Sequence, residues 1–400
     1  MLAAISGCIS IHRKEIPVPD QPTAAPLVLP DTISIGLAVG KAQIVVSLPA
    51  GSRATGSVES RRVGAAGDVR FVAETGGVRC GDLGIGLSSR IRIQPDRDRF
   101  LSFYNIRYRG EFFLLPGSDS SGNPVLTLVN VLALDDYLLG VVPKEIGIVR
   151  DDHVEAMKAQ AVTARTYSVR NKGRRASLGF DLFATSEDQV YGGVNAEIGI
   201  TSRAVQQTRG EILVYQGDFV EAFYHSTCGG RTASMQEVWG VDRPYLRGSS
   251  DLIGDTFACS ISRYFQWTEI YRGETYARLA SPAPDIRIEI LERDTGGRCL
   301  NIAVVRGDSR LLVRGDWIRK TVRRPDGGLL RSSWFDVRHE TGALILEGRG
   351  WGHGIGMCQM GAIGRARAGQ SYREILAVYY PGAEIKPLRN GVPSYQNSGG

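Results

Sequence analysis

The sequence GRGWGHGIGMCQMG, residues 348–361, places six glycines, one histidine and one tryptophan within fourteen positions. A dinucleotide-binding fingerprint has glycines at its first, third and sixth positions, but here the sixth position falls on His353, Ile355, Met357 or Gln359. The Gly-Lys-Ser/Thr ending of a phosphate-binding loop is also missing. The stretch is therefore not a nucleotide loop. Its glycines follow the strand-like ALILEG at 343–348 and predict a sharply turning backbone.

The bulk composition indicates a globular protein and excludes several classes of partner. The chain has 400 residues, of which 42% are hydrophobic, enough for one large domain or two smaller ones. Its formal net charge is +6, but the basic residues are spread out and form no stripe interleaved with aromatic residues, so we expect no nucleic-acid partner. No apolar run reaches the roughly 18 residues of a membrane span. We expect no cofactor.

The N-terminal segment predicts an exported protein. MLAAISGCIS is a short apolar segment that ends at Cys8 and resembles the bacterial lipobox, in which the cysteine is lipidated; the alternative is an incidental cysteine in an apolar terminus. Five prolines in residues 17–31 predict a stiff, extended tether. We therefore predict a leader remnant and tether at 1–31, one domain at 32–387 and a loose tail at 388–400.

The order of strand and helix signals predicts an α+β fold. Residues 33–130 and 260–345 are rich in β-branched and aromatic residues, which indicates a strand-rich N-terminal part and a β-rich insertion. Helical signals begin at Asp135 between them. The clearest helix follows a capping-box pattern at Asp152 and Glu155 and is surrounded by alanine, so we expect neighbours on several of its faces. A second capping box, Ser371 with Glu374, precedes the last helix.

One glutamate lies in an apolar neighbourhood. Glu145, within LDDYLLGVVPKEIG at 134–147, is flanked by valines, isoleucines and Pro143. The proline suggests a turn or a first helical position. Burial among apolar groups raises the pKa of a carboxyl, as a general acid requires near neutral pH. The alternative is an idle surface glutamate that interacts favourably with a helix N-terminus.

Five motifs, in order, resemble the stage II sporulation protein D and amidase-enhancer family. They are LDDYLLGVVPKEIG at 134–147, VEAMKAQAVTARTYSV at 154–169, FDLFATSEDQVYGG at 180–193, the segment 204–240 that contains FYHSTCGG, and the glycine-rich segment 348–382. The resemblance runs from about 100 to 260 and again from 345 to 383. It implies action on bacterial peptidoglycan in the cell envelope, and for some members lytic transglycosylase activity on glycan strands stripped of stem peptides.

The resemblance also assigns site residues. It places the catalytic glutamate on Glu145, and it implies that the glycine-rich stretch presents His353, Gln359 and the face of Trp351 to a glycan strand. The alternative is a structural glycine-rich crossover in which the hydrogen bonds of the histidine are satisfied within the protein. Further motif positions are candidates to line a substrate cleft, although part of them are core hydrogen bonders under the alternative interpretation: Gln160, Arg165, Tyr167, Gln189, Tyr191, His225 and Ser226.

The function implied has a rival within the same family. A non-catalytic glycan-binding protein that stimulates a separate cell-wall amidase would have the same motifs but would not need Glu145. A third interpretation, a zinc hydrolase that uses His225 and His353, is weak, because the chain has five histidines and no His-Glu-x-x-His motif.

The cysteines leave several interpretations open. Some relatives hold a metal with two cysteines and an upstream histidine, but here Phe183, Asp188 and Ser177 occupy that region, so we expect no metal there. In an exported protein the simplest interpretation of Cys228 and Cys259 is a disulfide. A zinc ion held with His225, or two free thiols, are the alternatives. Cys80, Cys299 and Cys358 have no evident partner.

Overall fold

The computed structural model describes residues 32–147, 150–281 and 285–388. The predicted lipidation site Cys8, the tether and nearly all of the predicted tail lie outside the described residues. The protein is 26% helical and 39% strand, which confirms the predicted α+β class. Within the described ranges, no helix is both long and apolar enough to cross a membrane.

The N-terminal part consists of two antiparallel sheets whose inward side chains share one hydrophobic core. Strand β2 shows the reason, because QIVVSL alternates exposed and buried residues with the period of two that a half-buried strand requires. The strands are β1 (Thr32–Lys41), β2 (Gln43–Leu48), β3 (Arg53–Thr55), β4 (Ser60–Arg62), β5 (Gly67–Glu74), β6 (Gly77–Cys80), β7 (Ile85–Ser88), β8 (Ile91–Gln94), β9 (Leu101–Phe103), β10 (Ile106–Tyr108), β11 (Glu111–Ser118) and β12 (Pro124–Ala133).

One sheet has seven strands in the order β13-β1-β12-β11-β8-β3-β4, where β13 (Leu182–Phe183) comes from the helical part and pairs parallel with β1. The other has six strands in the order β10-β9-β2-β5-β6-β7. Strand β12 continues directly into the first helix, so the sheet fixes where that helix begins.

A helical core follows the sheets. The helices are α1 (Leu134–Ile146), α2 (Val154–Arg170), α3 (Gly199–Gln207), α4 (Met235–Trp239), α5 (Gly273–Ala280), α6 (Trp317–Thr321), α7 (Gln359–Arg367) and α8 (Tyr372–Tyr379). Helix α2 is central, and 13 of its 17 residues are buried. It packs against α1, α3, α7 and α8, which confirms the prediction of neighbours on several faces.

The two predicted capping boxes have different outcomes. Ser371 and Glu374 form theirs, with the Ser371 N–H donating to the Glu374 carboxylate at 2.8 Å. The predicted box at Asp152 and Glu155 is wrong, because α2 begins at Val154 after a short 3₁₀ turn, and no side chain of the described residues caps it. Glu155 instead accepts a hydrogen bond from the Tyr372 N–H at 2.8 Å, so it joins two helices.

Short strands connect this core to the rest of the chain: β14 (Glu211–Tyr215), β15 (Asp218–Phe219), β16 (Tyr224–His225), β17 (Leu252–Ile253) and β18 (Thr256–Phe257). The β-rich segment that follows has two three-stranded sheets around a third hydrophobic core. Its strands are β19 (Gln266–Arg272), β20 (Arg287–Arg293), β21 (Cys299–Arg306), β22 (Ser309–Arg314), β23 (Phe335–Glu340) and β24 (Ala343–Arg349). The last strands are β25 (Met357–Cys358) and β26 (Glu384–Pro387).

The glycine-rich stretch returns the chain from β24 to the helical core. Its four glycines between 350 and 356 all have positive φ, which confirms the sharply turning backbone. At Gly356, with φ 73°, an added Cβ would overlap the carbonyl oxygen of Phe223, and at Gly354 it would lie 2.7 Å from Cζ of Arg298. The close approach lets β25 pair parallel with β16, Tyr224 opposite Met357 and His225 opposite Cys358.

Gly356→Ala tests this close approach. We expect it to lower the free energy of unfolding by about 2–4 kcal/mol, because the cost of a strained φ adds to the cost of an overpacked contact. The matched control is Gly369→Ala, at a φ of 86° but with no atom of the described residues within 4 Å of the added Cβ, and we expect a loss of about 1 kcal/mol there. Urea denaturation of both variants measures the difference; equal losses would show that the backbone contact is unimportant.

Candidate functional site

Glu145 lies in the last turn of α1, whose buried side includes Val141, Val142 and Ile146. Pro143 is inside this helix, so the predicted turn or first helical position is wrong. A carboxylate near a helix C-terminus opposes the helix dipole, so the structure excludes an idle glutamate at a helix N-terminus.

The Glu145 carboxyl is half-buried and hydrogen-bonded. Its Oε1 accepts a hydrogen bond from the Val190 N–H at 2.6 Å, and the side chains of Tyr224 and Gln359 also hydrogen-bond to it. Burial raises the pKa of Glu145 above its ordinary value, and these three hydrogen bonds act in the opposite direction without cancelling the rise. The direction of this shift is the one that a general acid requires.

Two further glutamines complete this arrangement. Gln359 Nε2 donates to Gln160 Oε1 at 3.3 Å, and Gln189 Nε2 donates to the Tyr224 hydroxyl at 3.1 Å. We call Glu145, Gln160, Gln189, Tyr224 and Gln359 the carboxyl network. Three of the predicted site residues therefore lie around the predicted catalytic residue, although they come from three separate motifs.

Tyr224 is the member that sequence reasoning missed. It precedes the predicted His225 in FYHST, and no sequence signal marks it, because the strand that carries it has only two residues and shows no alternation. Burial raises the pKa of Tyr224 well above 10, so its hydroxyl stays protonated. It can then donate to Glu145 while it accepts from Gln189.

His353 has both ring nitrogens occupied by backbone groups. Nδ1 accepts a hydrogen bond from the Ile355 N–H at 3.0 Å, so Nε2 carries the proton and donates to the Tyr224 carbonyl at 3.1 Å. Burial lowers the pKa of His353 to about 4, which keeps the ring neutral. His353 therefore links the glycine-rich stretch to the backbone of β16 at Tyr224, and both nitrogens of the imidazole already have hydrogen-bond partners within the protein.

His225 is buried on the neighbouring position of β16. Its Nδ1 bonds to the Ile355 carbonyl at 3.2 Å, and its Nε2 has no hydrogen-bond partner among the described residues. The two histidine rings lie 5.5 Å apart between centroids. Burial lowers the pKa of His225 well below its ordinary value, so two neutral imidazoles pack together.

Arg165 lies on α2 and contacts the N-terminal end of α1, whereas Glu145 lies near the C-terminal end of α1. Its guanidinium donates to Asp135 Oδ1 at 2.8 and 2.9 Å and to the carbonyls of Val205 and Glu211. Asp135 and Glu145 are ten residues apart on one helix, so roughly 15 Å separates this ion pair from the carboxyl network. The structure does not bring Arg165 to the site.

The two predicted tyrosines are also engaged within the protein. The Tyr167 hydroxyl donates to Asp188 Oδ1 at 3.2 Å, and Asp188 pairs with two arginines. The Tyr191 hydroxyl donates to Asn130 Oδ1 at 3.3 Å in the core. Both side chains are buried, and their hydroxyl groups bond within the protein.

The remaining predicted residues lie along the glycine-rich crossing. The Trp351 ring packs against Tyr264 at 4.1 Å between centroids, and the guanidinium of Arg331 lies 5.1 Å from its centre. Ser226 Oγ lies 3.3 Å from Thr227 Oγ1, and its carbonyl accepts from the Met360 N–H. Protein groups therefore occupy part of the surface that Trp351 was predicted to offer to a sugar.

A surface cavity of about 450 Å³ lies in the β-rich segment, away from these residues. Parts of β19, β23 and β24 line it, with Trp267, Trp334 and Arg349 among its walls. None of the predicted site residues contributes to it.

Cys228, Cys259 and Cys358 lie close together, and the disulfide predicted between the first two is not formed in this structure. Cys228 and Cys259 are free thiols whose sulfurs are 3.5 Å apart, longer than the roughly 2.05 Å of a disulfide bond. Cys358, expected to have no partner, accepts a hydrogen bond on its sulfur from the Cys228 N–H at 3.1 Å, which corrects that expectation. The parallel pairing of β16 with β25 is the cause, because it carries Cys358 to the end of the Cys228 segment. Together with the buried carboxylate of Asp251, the three cysteines form a group of four side chains that could hold a metal ion.

Arg165→Met tests whether Arg165 is structural. We expect a loss of about 3–5 kcal/mol in the free energy of unfolding, because Asp135 and two carbonyls lose their buried donor. The control is Arg209→Met, which removes the other partner of Asp135 from a side chain that is 81% exposed and should cost less than about 1 kcal/mol. Similar losses in denaturant titrations would contradict the assignment.

His353→Gln tests the neutral histidine. The unfolded imidazole has a pKa of about 6.5 and the folded one about 4, so the unfolded state binds more protons between these values. Stability of the wild type should therefore rise by about 2 kcal/mol as pH increases from 4 to 6.5. The variant should lose this part of the slope in denaturant titrations across that range, and an unchanged slope would be the contrary result.

Comparison with known proteins identifies the family. Residues 123–215 match a family described as Stage II sporulation protein, and residues 257–356 match one described as a domain of unknown function. An uncharacterized protein of Brachyspira hyodysenteriae is 33% identical over 289 residues, which covers 70% of this chain and 72% of that protein.

Two relatives have names that describe a role. The amidase enhancer of Bacillus subtilis is 30% identical over 294 residues, 62% of this chain and 40% of the enhancer's length. Stage II sporulation protein D of Bacillus amyloliquefaciens is 27% identical over 67% of this chain and 78% of its own length. With the sequence motifs and these matches together, the chain belongs to the stage II sporulation protein D and amidase-enhancer family.

Proposed function

We propose that this protein remodels the bacterial cell wall as a lytic transglycosylase. Its substrate would be the bond between N-acetylmuramic acid and N-acetylglucosamine in glycan strands without stem peptides. Family membership supports a cell-wall-related role. The observation that carries the catalytic proposal is the half-buried Glu145 carboxyl, whose pKa is raised by burial and which accepts a hydrogen bond from the Val190 N–H.

One carboxyl group is enough for this reaction. Most glycosidases use two carboxylates, because water or an enzyme nucleophile must attack the anomeric carbon. In a lytic transglycosylase the 6-hydroxyl of the muramic acid attacks that carbon instead. Glu145 would protonate the departing glycosidic oxygen and then accept the proton of the attacking hydroxyl, leaving a 1,6-anhydro ring. Because the attacking hydroxyl belongs to the same sugar, the reaction avoids the entropic cost of bringing a separate nucleophile to the anomeric carbon.

The carboxyl network suits both halves of that cycle. Burial favours the neutral acid that donates the first proton. After donation, the Val190 N–H, the Tyr224 hydroxyl and the Gln359 side chain hydrogen-bond to the carboxylate, so the charged state stays accessible. Gln189 holds the Tyr224 hydroxyl and Gln160 holds the Gln359 amide, which makes them positioning residues.

Glu145→Gln tests the proposal. We expect the formation of 1,6-anhydro products to fall by a factor of roughly 10²–10⁴ or more, because the amide cannot transfer a proton, while the fold and glycan binding persist. The measurement is mass spectrometry of digested denuded glycan. The control is Glu274→Gln, an exposed glutamate of α5. Full product formation by Glu145→Gln would remove Glu145 from the catalytic role.

The second candidate is a glycan-binding activator of an N-acetylmuramoyl-L-alanine amidase. The name of the amidase-enhancer relative favours it. A binding protein gains nothing from a carboxyl with a raised pKa, and for this reason we rank the enzyme first. The purified protein should be tested on cell wall with and without stem peptides, each with and without an added amidase. Activity on neither wall alone, with stimulation of the amidase, would favour the activator.

The proposal places the protein in the cell envelope, where glycan strands are accessible. A lipid anchor at Cys8 belongs to this proposal, as does the organisation into a tether and one domain with a β-rich insertion. Metabolic labelling with a fatty acid, compared between the wild type and Cys8→Ser, tests the anchor. Label on both proteins or on neither would argue against it.

A further inference from the structure

Four buried side chains of metal-ligating type converge behind the carboxyl network. They are Cys228, Asp251, Cys259 and Cys358, and one ligand atom from each lies within 4.8 Å of all the others. Each of the four residues has no exposed surface. We call them the sulfur cluster. Cysteine thiolates and an aspartate carboxylate are the ligand types of a structural zinc site, and here three thiols and one carboxyl group meet in a core.

We propose that the sulfur cluster binds one zinc ion through three thiolates and one carboxylate oxygen. Zinc prefers four ligands in a tetrahedron, and bonds of about 2.3 Å place two thiolate sulfurs about 3.8 Å apart. The sulfurs of Cys228 and Cys259 are 3.5 Å apart, so small movements would suffice. Thiolate ligands favour zinc over the hard cations calcium and magnesium.

Backbone N–H groups already point at the sulfurs, as they do around metal-bound thiolates. Cys358 Sγ accepts hydrogen bonds from the N–H groups of Cys228 at 3.1 Å and Gly361 at 3.2 Å, and it caps the first turn of α7. The Gly230 N–H lies 3.4 Å from Cys228 Sγ. These donors and the positive end of α7 would stabilise negative sulfur.

The Asp251 carboxylate is held in place by other groups. Oδ1 accepts from the Tyr379 hydroxyl at 2.5 Å, and Oδ2 accepts from the Cys259 N–H at 2.9 Å. An oxygen oriented in this way by its neighbours is typical of a metal ligand.

Two buried arginines balance the charge. Three thiolates and one carboxylate around a divalent ion leave a double negative charge. Arg365 Nε lies 3.7 Å from Asp251 Oδ1, and Arg298 donates to the Cys228 carbonyl. Arg298 is 1% exposed, and its Nη1 has no hydrogen-bond partner among the described residues. Arg365 already pairs with Asp251, and thiolates around a metal would give Arg298 a nearby negative partner as well.

The ion would fasten together the segments that form the carboxyl network. Cys358 immediately precedes Gln359, and Cys228 follows shortly after Tyr224. The other two ligands come from the segment 251–259, at the entrance to the β-rich insertion. The role is structural, since the sulfur cluster is fully buried and leaves no open coordination position for a substrate.

Cobalt(II) substitution of the reduced, chelator-treated full-length protein is the test. We expect about one cobalt per chain, a thiolate-to-cobalt charge-transfer band and the intense visible bands of a tetrahedral site, all abolished by added zinc. No metal uptake by the reduced wild type would overturn the proposal. So would a Cys228–Cys259 disulfide found by peptide mapping in a protein that, once reduced, still takes up no metal.

Variants locate the ion. Cys358→Ser should weaken cobalt binding at least tenfold and reduce the charge-transfer band, whereas Cys80→Ser, a buried cysteine outside the sulfur cluster, should leave both unchanged. Circular dichroism checks that each variant is folded. If Cys358→Ser does not fold, Asp251→Asn replaces it and should keep the thiolate band but lower the affinity. Equal binding by Cys358→Ser or Asp251→Asn and the wild type would refute the assignment.

Discussion

The site depends on one hydrogen bond, which the Val190 N–H donates to the half-buried carboxyl of Glu145. The carboxyl lies near the C-terminus of α1, where the helix dipole disfavours a negative charge, and its neighbours are apolar. It still has three hydrogen-bond donors. Removal from water favours the neutral acid, and the donors keep the anion within reach. A group balanced in this way can give up a proton and take it back, which is the chemistry that cleavage without a second carboxylate needs.

The rest of the protein brings donors from distant segments to that one carboxyl. Tyr224 lies on β16 and Gln359 follows β25, so their meeting depends on the parallel pairing of two very short strands. The glycines before β25 allow this pairing, since Gly356 has no room for a side chain. His353 then joins the glycine-rich stretch to the Tyr224 backbone. Cys358 of the sulfur cluster occupies the next position of the same strand pair, so the proposed metal would hold β25 close to the segment that follows β16.

Sequence patterns predicted the features that depend on neighbours along the chain. The α+β class, the enclosed helix α2 and the Ser371–Glu374 cap follow from local periodicity and capping chemistry. Motif resemblance selected Gln160, Gln189 and Gln359, which the structure places in one network with Glu145, while their role toward a substrate stays a prediction.

What the sequence did not reveal depends on contacts between distant segments. The role of Tyr224, the backbone bonds of His353 and the approach of Cys358 to Cys228 arise from the pairing of residues about 130 positions apart. A two-residue strand has too few residues to show a period, so no pattern in the chain announced that pairing. Arg165 occupies a motif position for a different reason, since its buried guanidinium holds together α1, α3 and β14.

The most direct test of this account is the pKa of the Glu145 carboxyl itself. Carbon-13 NMR titration of the glutamate side chains gives that value, with the Glu145 signal assigned by its absence from Glu145→Gln. We predict a pKa clearly above the ordinary glutamate value of about 4.3, because burial outweighs the three hydrogen bonds. A pKa at or below that value would mean that the group is ionised throughout the neutral range, and Glu145 could not then be the acid that cleaves a glycan strand.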